Sequence, residues 1–290
     1  MIRLAVLVAL TAAAGQAAPQ RVDVGGVTLH YIERGAGEPM ILLHGGQGDY
    51  RAWDVQLTEL SRHFRTIAYS RRHHYPNNNP IQADHSARVD AQDLAAFVAA
   101  RKLGPVHLVG TSYGALTALI FALERPTQVR SLVLAEPPIL EWANQLPGGE
   151  ELYEHFMNNV HRPAGRAFVA GNDTQALRLL IDEFDGAGTF DRLPAERRQV
   201  VMQNANFFRA VTVSSDPFPN LDRDSVRRLP MPMLVVRGER TDALHRMLAE
   251  HLASLKGSAV NVIPGAGHGS PRQNPVAFTE VVLGFLKVAR

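Results

Sequence analysis

The run Val106-His107-Leu108-Val109-Gly110-Thr111-Ser112-Tyr113-Gly114 decides how this chain reads. Four apolar-rich residues lead into G-x-S-x-G, and residues 115–122 continue as an apolar helix. A strand that turns sharply into a helix needs small residues on both sides of the turn, and glycine has no Cβ to obstruct it. The serine at the apex is then presented to a pocket, beside helix N–H groups that have no acceptor of their own. Glycine and serine are common, so the pentapeptide gains meaning only from its flanks and from a histidine and an acid elsewhere.

The flanks belong to a longer alternation. Residues 22–24 and 27–32 read as a hairpin closed by Gly25-Gly26. Residues 40–43 are a continuous apolar run, as expected of a strand covered on both faces. Helical spacing follows over 51–64, a strand over 66–69, and a helix over 87–103 with Val89, Leu94, Phe97 and Val98 as its buried stripe. After the strand at 106–109 and its helix comes a strand over 131–135. Residues 141–226 are helical and more polar, with no parallel-strand run. Strand, helix, strand and helix then return over 233–236, 243–255, 259–263 and 275–288. This order predicts an α/β fold, a mostly parallel sheet with helices on both faces, built from residues 19–140 and 227–290 and interrupted by a helical cap over 141–226.

Composition narrows the function. With 290 residues, 46% of them hydrophobic, the chain can bury one large core and carry a cap. A formal net charge of +2, with no basic tract, argues against nucleic acid as a partner and against a polybasic membrane anchor. There is no cysteine, which removes disulfides, thiolate metal sites and a cysteine nucleophile. Arg3, the apolar stretch 4–14 and the small residues around Ala17-Ala18 form the pattern of a secretory signal peptide over residues 1–18. A bacterial periplasmic or secreted protein is the expectation.

Three segments close strands on what is predicted to be the same edge of the sheet: His44-Gly45-Gly46, the Ser112 turn, and Gly265-Ala266-Gly267-His268-Gly269. With Leu132-Val133-Leu134-Ala135-Glu136-Pro137 and Val235-Val236-Arg237-Gly238-Glu239, they make the chain resemble the α/β-hydrolase superfamily over nearly its whole length. The resemblance implies Ser112 as nucleophile and His268 as general base, because an imidazole titrates near neutral pH. It implies an oxyanion hole from the backbone N–H of Tyr113 and that of Gly46 or Gly45.

The acid is less regular. Many members carry Gly-Glu-x-Asp after the strand at 233–236, but here Thr241 stands in that place and Asp242 follows it. Glu136, closing an apolar strand where certain haloalkane dehalogenases carry their acid, is preferred. Asp242 remains the alternative, with helix capping as its ordinary role. His44, Tyr113, Trp142 and Phe207 are candidate substrate contacts. Adjacent His73-His74 lacks a carboxylate cluster and is not read as a metal site, and Asp49, Asp84 and Asp90 read as caps or surface charges. The expected activity is acyl transfer to water on a small ester or related substrate, with no cofactor or metal. Carbon–carbon, lactone or perhydrolase chemistry on the same triad, and ligand binding without catalysis, are the alternatives.

Overall fold

The computed structural model describes residues 18–288, so all but the last residue of the expected leader lies outside the described residues. Eight strands form one sheet in the order β1-β2-β4-β3-β5-β6-β7-β8. They are β1 Gln20–Val24, β2 Val27–Arg34, β3 Pro39–Leu43, β4 Arg65–Tyr69, β5 Val106–Thr111, β6 Val129–Ala135, β7 Met233–Gly238 and β8 Asn261–Ile263. β1 pairs antiparallel with β2, and β2 with β4; every other pairing is parallel.

The continuous apolar strands have a direct physical reading. Successive side chains point to opposite faces of a sheet, and here each face carries its own core. Ile41, Leu43, Leu108, Leu132, Leu134 and Val235 pack into one cluster, and Met40, Leu42, Val109, Val133, Leu234 and Val236 into the other. The first core is covered by α2 Ala87–Ala100, α3 Tyr113–Glu124 and α11 Ala243–Leu255, and the second by α1 Asp54–Leu60 and α13 Pro275–Val288.

Between β6 and β7 the chain makes helices: α4 Gly149–Phe156, α5 Arg162–Val169, α6 Asp173–Asp185, α7 Thr189–Arg192, α8 Ala195–Gln203, α9 Ala205–Val213 and α10 Arg223–Arg227. A short α12, Ser270–Gln273, precedes α13. Phe156, Leu180, Phe207 and Phe208 from this segment join the first core.

Some elements differ from their sequence reading. The helix expected over 51–64 divides into a 3₁₀ turn, Tyr50–Trp53, and α1, with Asp49 capping the turn through Arg51 N–H. The strand at 259–263 shortens to three residues. In α2, Val89 is only half-buried, whereas Asp90 and Asp93 are buried. Asp90 is therefore not a surface charge: it pairs with the buried guanidinium of Arg71, and Asp93 pairs with Arg72 at 2.6 Å. Partnered arginines allow carboxylates to sit where a stripe of apolar residues was expected.

Candidate active site

β5 ends at Thr111 and α3 begins at Tyr113, which leaves Ser112 alone to reverse the chain. Its φ of 52° and ψ of −127° lie outside the regions open to ordinary residues. Such strain persists only where the surroundings impose it. A Cβ on Gly114 would meet the carbonyl oxygens of Leu43 and His44 at 2.4 and 2.5 Å, and one on Gly110 would meet Gly114 O at 2.7 Å. Both glycines of the pentapeptide are thus required by backbone contacts. Glu136, the first residue past β6, shares the left-handed region with φ 50°.

These two strained residues face one histidine. His268 Nε2 lies 2.9 Å from Ser112 Oγ, and His268 Nδ1 lies 2.6 Å from Glu136 Oε2. Glu136 is buried and accepts two further hydrogen bonds, from Gly238 N–H to Oε1 and from Thr241 Oγ1–H to Oε2, both 2.7 Å. Thr241, standing in place of an aspartate in the Gly-Glu-x-Asp pattern, is therefore a donor to the carboxylate just past the end of the neighbouring strand. Asp242 caps α11: its Oδ1 accepts His245 N–H at 2.9 Å and its Oδ2 accepts from His245 Nδ1 at 2.8 Å. Of the two candidate acids, Glu136 is the one hydrogen-bonded to His268.

The cavity above Ser112 is lined by Gly45, Gly46, Tyr113, Phe184, Phe207 and Phe208, together with His245 and His268. Tyr113 is the first residue of α3, so its N–H has no intrahelical acceptor. A Cβ on Gly46 would lie 2.7 Å from the Phe207 ring and 2.8 Å from that of Phe208. The bare backbone there lets both rings pack directly against the Gly45-Gly46 turn in the cavity wall. Tyr113 lines the wall while its hydroxyl donates to Pro217 O at 2.7 Å, tying β5–α3 to the helical segment.

Two of the expected substrate contacts are placed elsewhere. His44 is fully buried; its Nδ1 meets Gly45 O at 2.8 Å and its Nε2 accepts Arg71 N–H at 3.1 Å. Burial, with Arg71 beside it, pushes its pKa down to about 3, so it braces the Gly45-Gly46 turn as a neutral ring. Trp142 is buried outside the cavity lining, with Nε1–H donated to Leu221 O at 2.7 Å. Phe207 does line the cavity.

Three features of the wall had no signal in the sequence. Phe184 stacks on His268 with ring centroids 5.1 Å apart. His245 lies beside both rings, its centroid 4.2 Å from that of His268 and 5.8 Å from that of Phe184. Arg197 reaches the cavity and donates to Gln47 O and Oε1, both at 2.9 Å, but has no carboxylate partner among the described residues. Burial and the nearby Arg272 lower its pKa to about 10. Donor atoms of Asp242, His245 and His268 come within 4.8 Å of one another. Both oxygens of Asp242 and both nitrogens of His268 are already hydrogen-bonded, so this cluster is two neighbouring imidazole–carboxylate pairs.

Residues 40–281 match the sequence profile of the alpha/beta hydrolase family. The chain belongs to that family. It is 26% identical over 279 residues to 2-(acetamidomethylene)succinate hydrolase of Mesorhizobium japonicum, covering 92% of this chain and 94% of the relative. It is 26% identical over 276 residues to human serine hydrolase BPHL, covering 92% and 86%. Among solved structures, the enol-lactonase from Burkholderia xenovorans superposes with a TM-score of 0.75 at 20% identity, over 92% of this chain and all of that one. This hydrolase therefore shares its fold with enzymes, and no helix among its described residues is long and apolar enough to cross a membrane.

Proposed function

We propose that this hydrolase opens an ester or related acyl bond of a small molecule through an acyl-enzyme on Ser112. The observation that carries the reading is the hydrogen-bonded line Ser112 Oγ–His268–Glu136 at the floor of the cavity. His268 Nε2 accepts the Ser112 proton as Oγ attacks the carbonyl, and Glu136 holds Nδ1–H and stabilises the imidazolium. The N–H groups of Tyr113 and Gly46 donate to the oxyanion. His268 returns the proton to the leaving group, and water then repeats the path to release the acid. Each step uses only groups of the chain, the substrate and water.

The test is covalent labelling. A fluorophosphonate is expected to modify Ser112 in the folded protein, and Ser112→Ala is expected to abolish both the adduct and turnover of 4-nitrophenyl butyrate. A folded wild-type protein that stays unlabelled at Ser112 would remove this reading.

A finer statement concerns the acyl substrate. An unpaired guanidinium in a largely apolar cavity is costly unless the ligand brings the opposite charge. Arg197 therefore favours a substrate with a carboxylate, in keeping with the succinate derivative named for the Mesorhizobium relative. Lactone or carbon–carbon hydrolysis of an acidic substrate is the second reading on the same residues, supported by a relative, 26% identical over 277 residues, that is named 2-hydroxy-6-oxo-6-(2'-aminophenyl)hexa-2,4-dienoic acid hydrolase. Arg197→Gln is expected to lower kcat/KM about tenfold for 4-nitrophenyl hemisuccinate, mainly through KM, the scale of one charge-assisted hydrogen bond. Its effect on 4-nitrophenyl butyrate should be much smaller; equal losses would make the arginine structural. The leader pattern at residues 1–18 supports a periplasmic or secreted location in a bacterium.

A further inference from the structure

The residue left unused by the acyl-transfer scheme is His245. It sits in the first turn of α11, buried, in the wall of the same cavity as Ser112. Its Nδ1 is taken by Asp242 Oδ2 at 2.8 Å. Its Nε2, at the opposite end of the ring from Asp242, makes no hydrogen bond among the described residues and is not fully sealed from solvent. The pairing repeats that of its neighbour: His268 also gives Nδ1 to a carboxylate, and there Nε2 meets Ser112 Oγ. The two ring centroids are 4.2 Å apart, at an interplanar angle of 51°.

Position decides what the second imidazole can reach. The departing oxygen of an ester must lie within hydrogen-bond reach of His268 Nε2, which hands it a proton. His245 lines the same cavity with its ring centroid 4.2 Å from that of His268, so an oxygen held at His268 Nε2 sits in the space that His245 helps to wall. We propose that His245 is a second catalytic imidazole of this site, that its Nε2–H donates to the departing oxygen, and that Asp242 is the positioning residue that holds it there. The proposal rests on the serine hydrolase reading and deepens it on the leaving-group side.

The charges around the ring support a donor there. Burial opposes a charge on His245, but Asp242 on its own helix, Glu136 beyond β6 and Glu183 on α6 offset burial and raise its pKa, while His268 faces it from the loop before α12. Asp242 itself is held well below the usual carboxylate range: burial opposes its charge, but His245 prevails. An ionised Asp242 keeps the proton on Nδ1, so Nε2 is a donor when the ring is cationic. In the acylation step the Ser112 proton moves to His268 Nε2 and the Oγ–C bond forms. The C–O bond then breaks and that same proton passes to the departing oxygen. His245 keeps its own proton throughout and lends only a hydrogen bond.

The test is a leaving-group series: substituted phenyl butyrates from nitrophenyl to methoxyphenyl, then ethyl butyrate. In His245→Leu, log kcat/KM should fall more steeply with leaving-group basicity than in the wild type. The loss on ethyl butyrate should exceed that on the nitrophenyl ester by about tenfold to a hundredfold, the range for a hydrogen bond to a developing charge. His245→Gln, which retains a donor, should recover part of the difference, and Asp242→Asn, which still caps α11, should fall between. In the wild type the steepening should appear as pH rises through the His245 titration, and be absent from His245→Leu. If losses are the same across the series in all three variants, or absent, His245 is structural and the proposal is overturned. Fluorophosphonate labelling separates the two levels: labelled Ser112 with a flat series removes only the role of His245, whereas unlabelled wild-type protein removes the hydrolase reading and this proposal with it.

Discussion

Glu136→Gln is expected to lower kcat for 4-nitrophenyl butyrate by about 10⁴, the scale seen when the acid of such a triad becomes an amide. The size follows from the hydrogen-bond inventory of the carboxylate. Gly238 N–H points at Oε1, while Thr241 O–H and His268 Nδ1 point at Oε2. An amide has one oxygen and one NH₂ group. With NH₂ toward His268, Nδ1 becomes the acceptor and Nε2 carries the proton, so Nε2 cannot take one from Ser112. With NH₂ toward Gly238, two buried donors oppose each other, which costs about 1–3 kcal/mol. Either way the productive tautomer is disfavoured. Asp242→Asn keeps the α11 cap through Oδ1, and its loss on this activated ester should be at least two orders of magnitude smaller. Steady-state turnover of both variants beside the wild type checks this, and comparable losses would return the triad acid to Asp242.

The same residues show what was legible in the sequence. Ser112, His268 and the Gly45-Gly46 turn could be read because each closes a strand with glycines around it, a local pattern with a local cause. Glu136 could be read because a carboxylate that ends an apolar strand cannot be a solvated surface charge. Its partners could not: Thr241 reaches it across 105 positions of chain, and only the β6–β7 pairing brings them together. His245 was hidden for a similar reason. On α11 it reads as one more helix residue, and it becomes notable only because His268 arrives beside it from 23 positions away. Arg197 enters the cavity from α8, and helix periodicity says nothing about where a helix docks. His44 and Trp142, expected as substrate contacts, lie outside the cavity lining because both rings spend their polar atoms on backbone, which residue type and position in the chain do not reveal.

Beneath the site, the Arg71–Asp90 pair should dominate stability. Both side chains are 1% exposed, and the Arg71 guanidinium also donates through Nε to His44 O at 3.2 Å. It lies 5.0 Å from the Tyr113 ring centroid and 4.5 Å from that of Phe207, so the pair supports the cavity floor. Asp90→Ala leaves a buried guanidinium with no counter-charge and is expected to cost about 3–5 kcal/mol. Arg71→Met with Asp90→Leu removes both charges and should recover much of that loss, since an apolar pair of similar volume is often no worse than a buried ion pair. Chemical denaturation of the two variants and the wild type measures the difference. The pH dependence carries a definite sign. Burial opposes the charge on Asp90, but Arg71 and then His85 pull its pKa below the usual carboxylate range. A carboxylate whose folded pKa is depressed contributes stability above its unfolded pKa, about 3.9, and loses it as pH falls toward the folded value. The gap between wild type and Asp90→Ala should therefore be constant from neutral pH down to about pH 4 and narrow only below it. A gap already closing between pH 7 and 5 would mean that Asp90 is not ionised in the folded protein, and the pair would lose its part in holding the floor of the site.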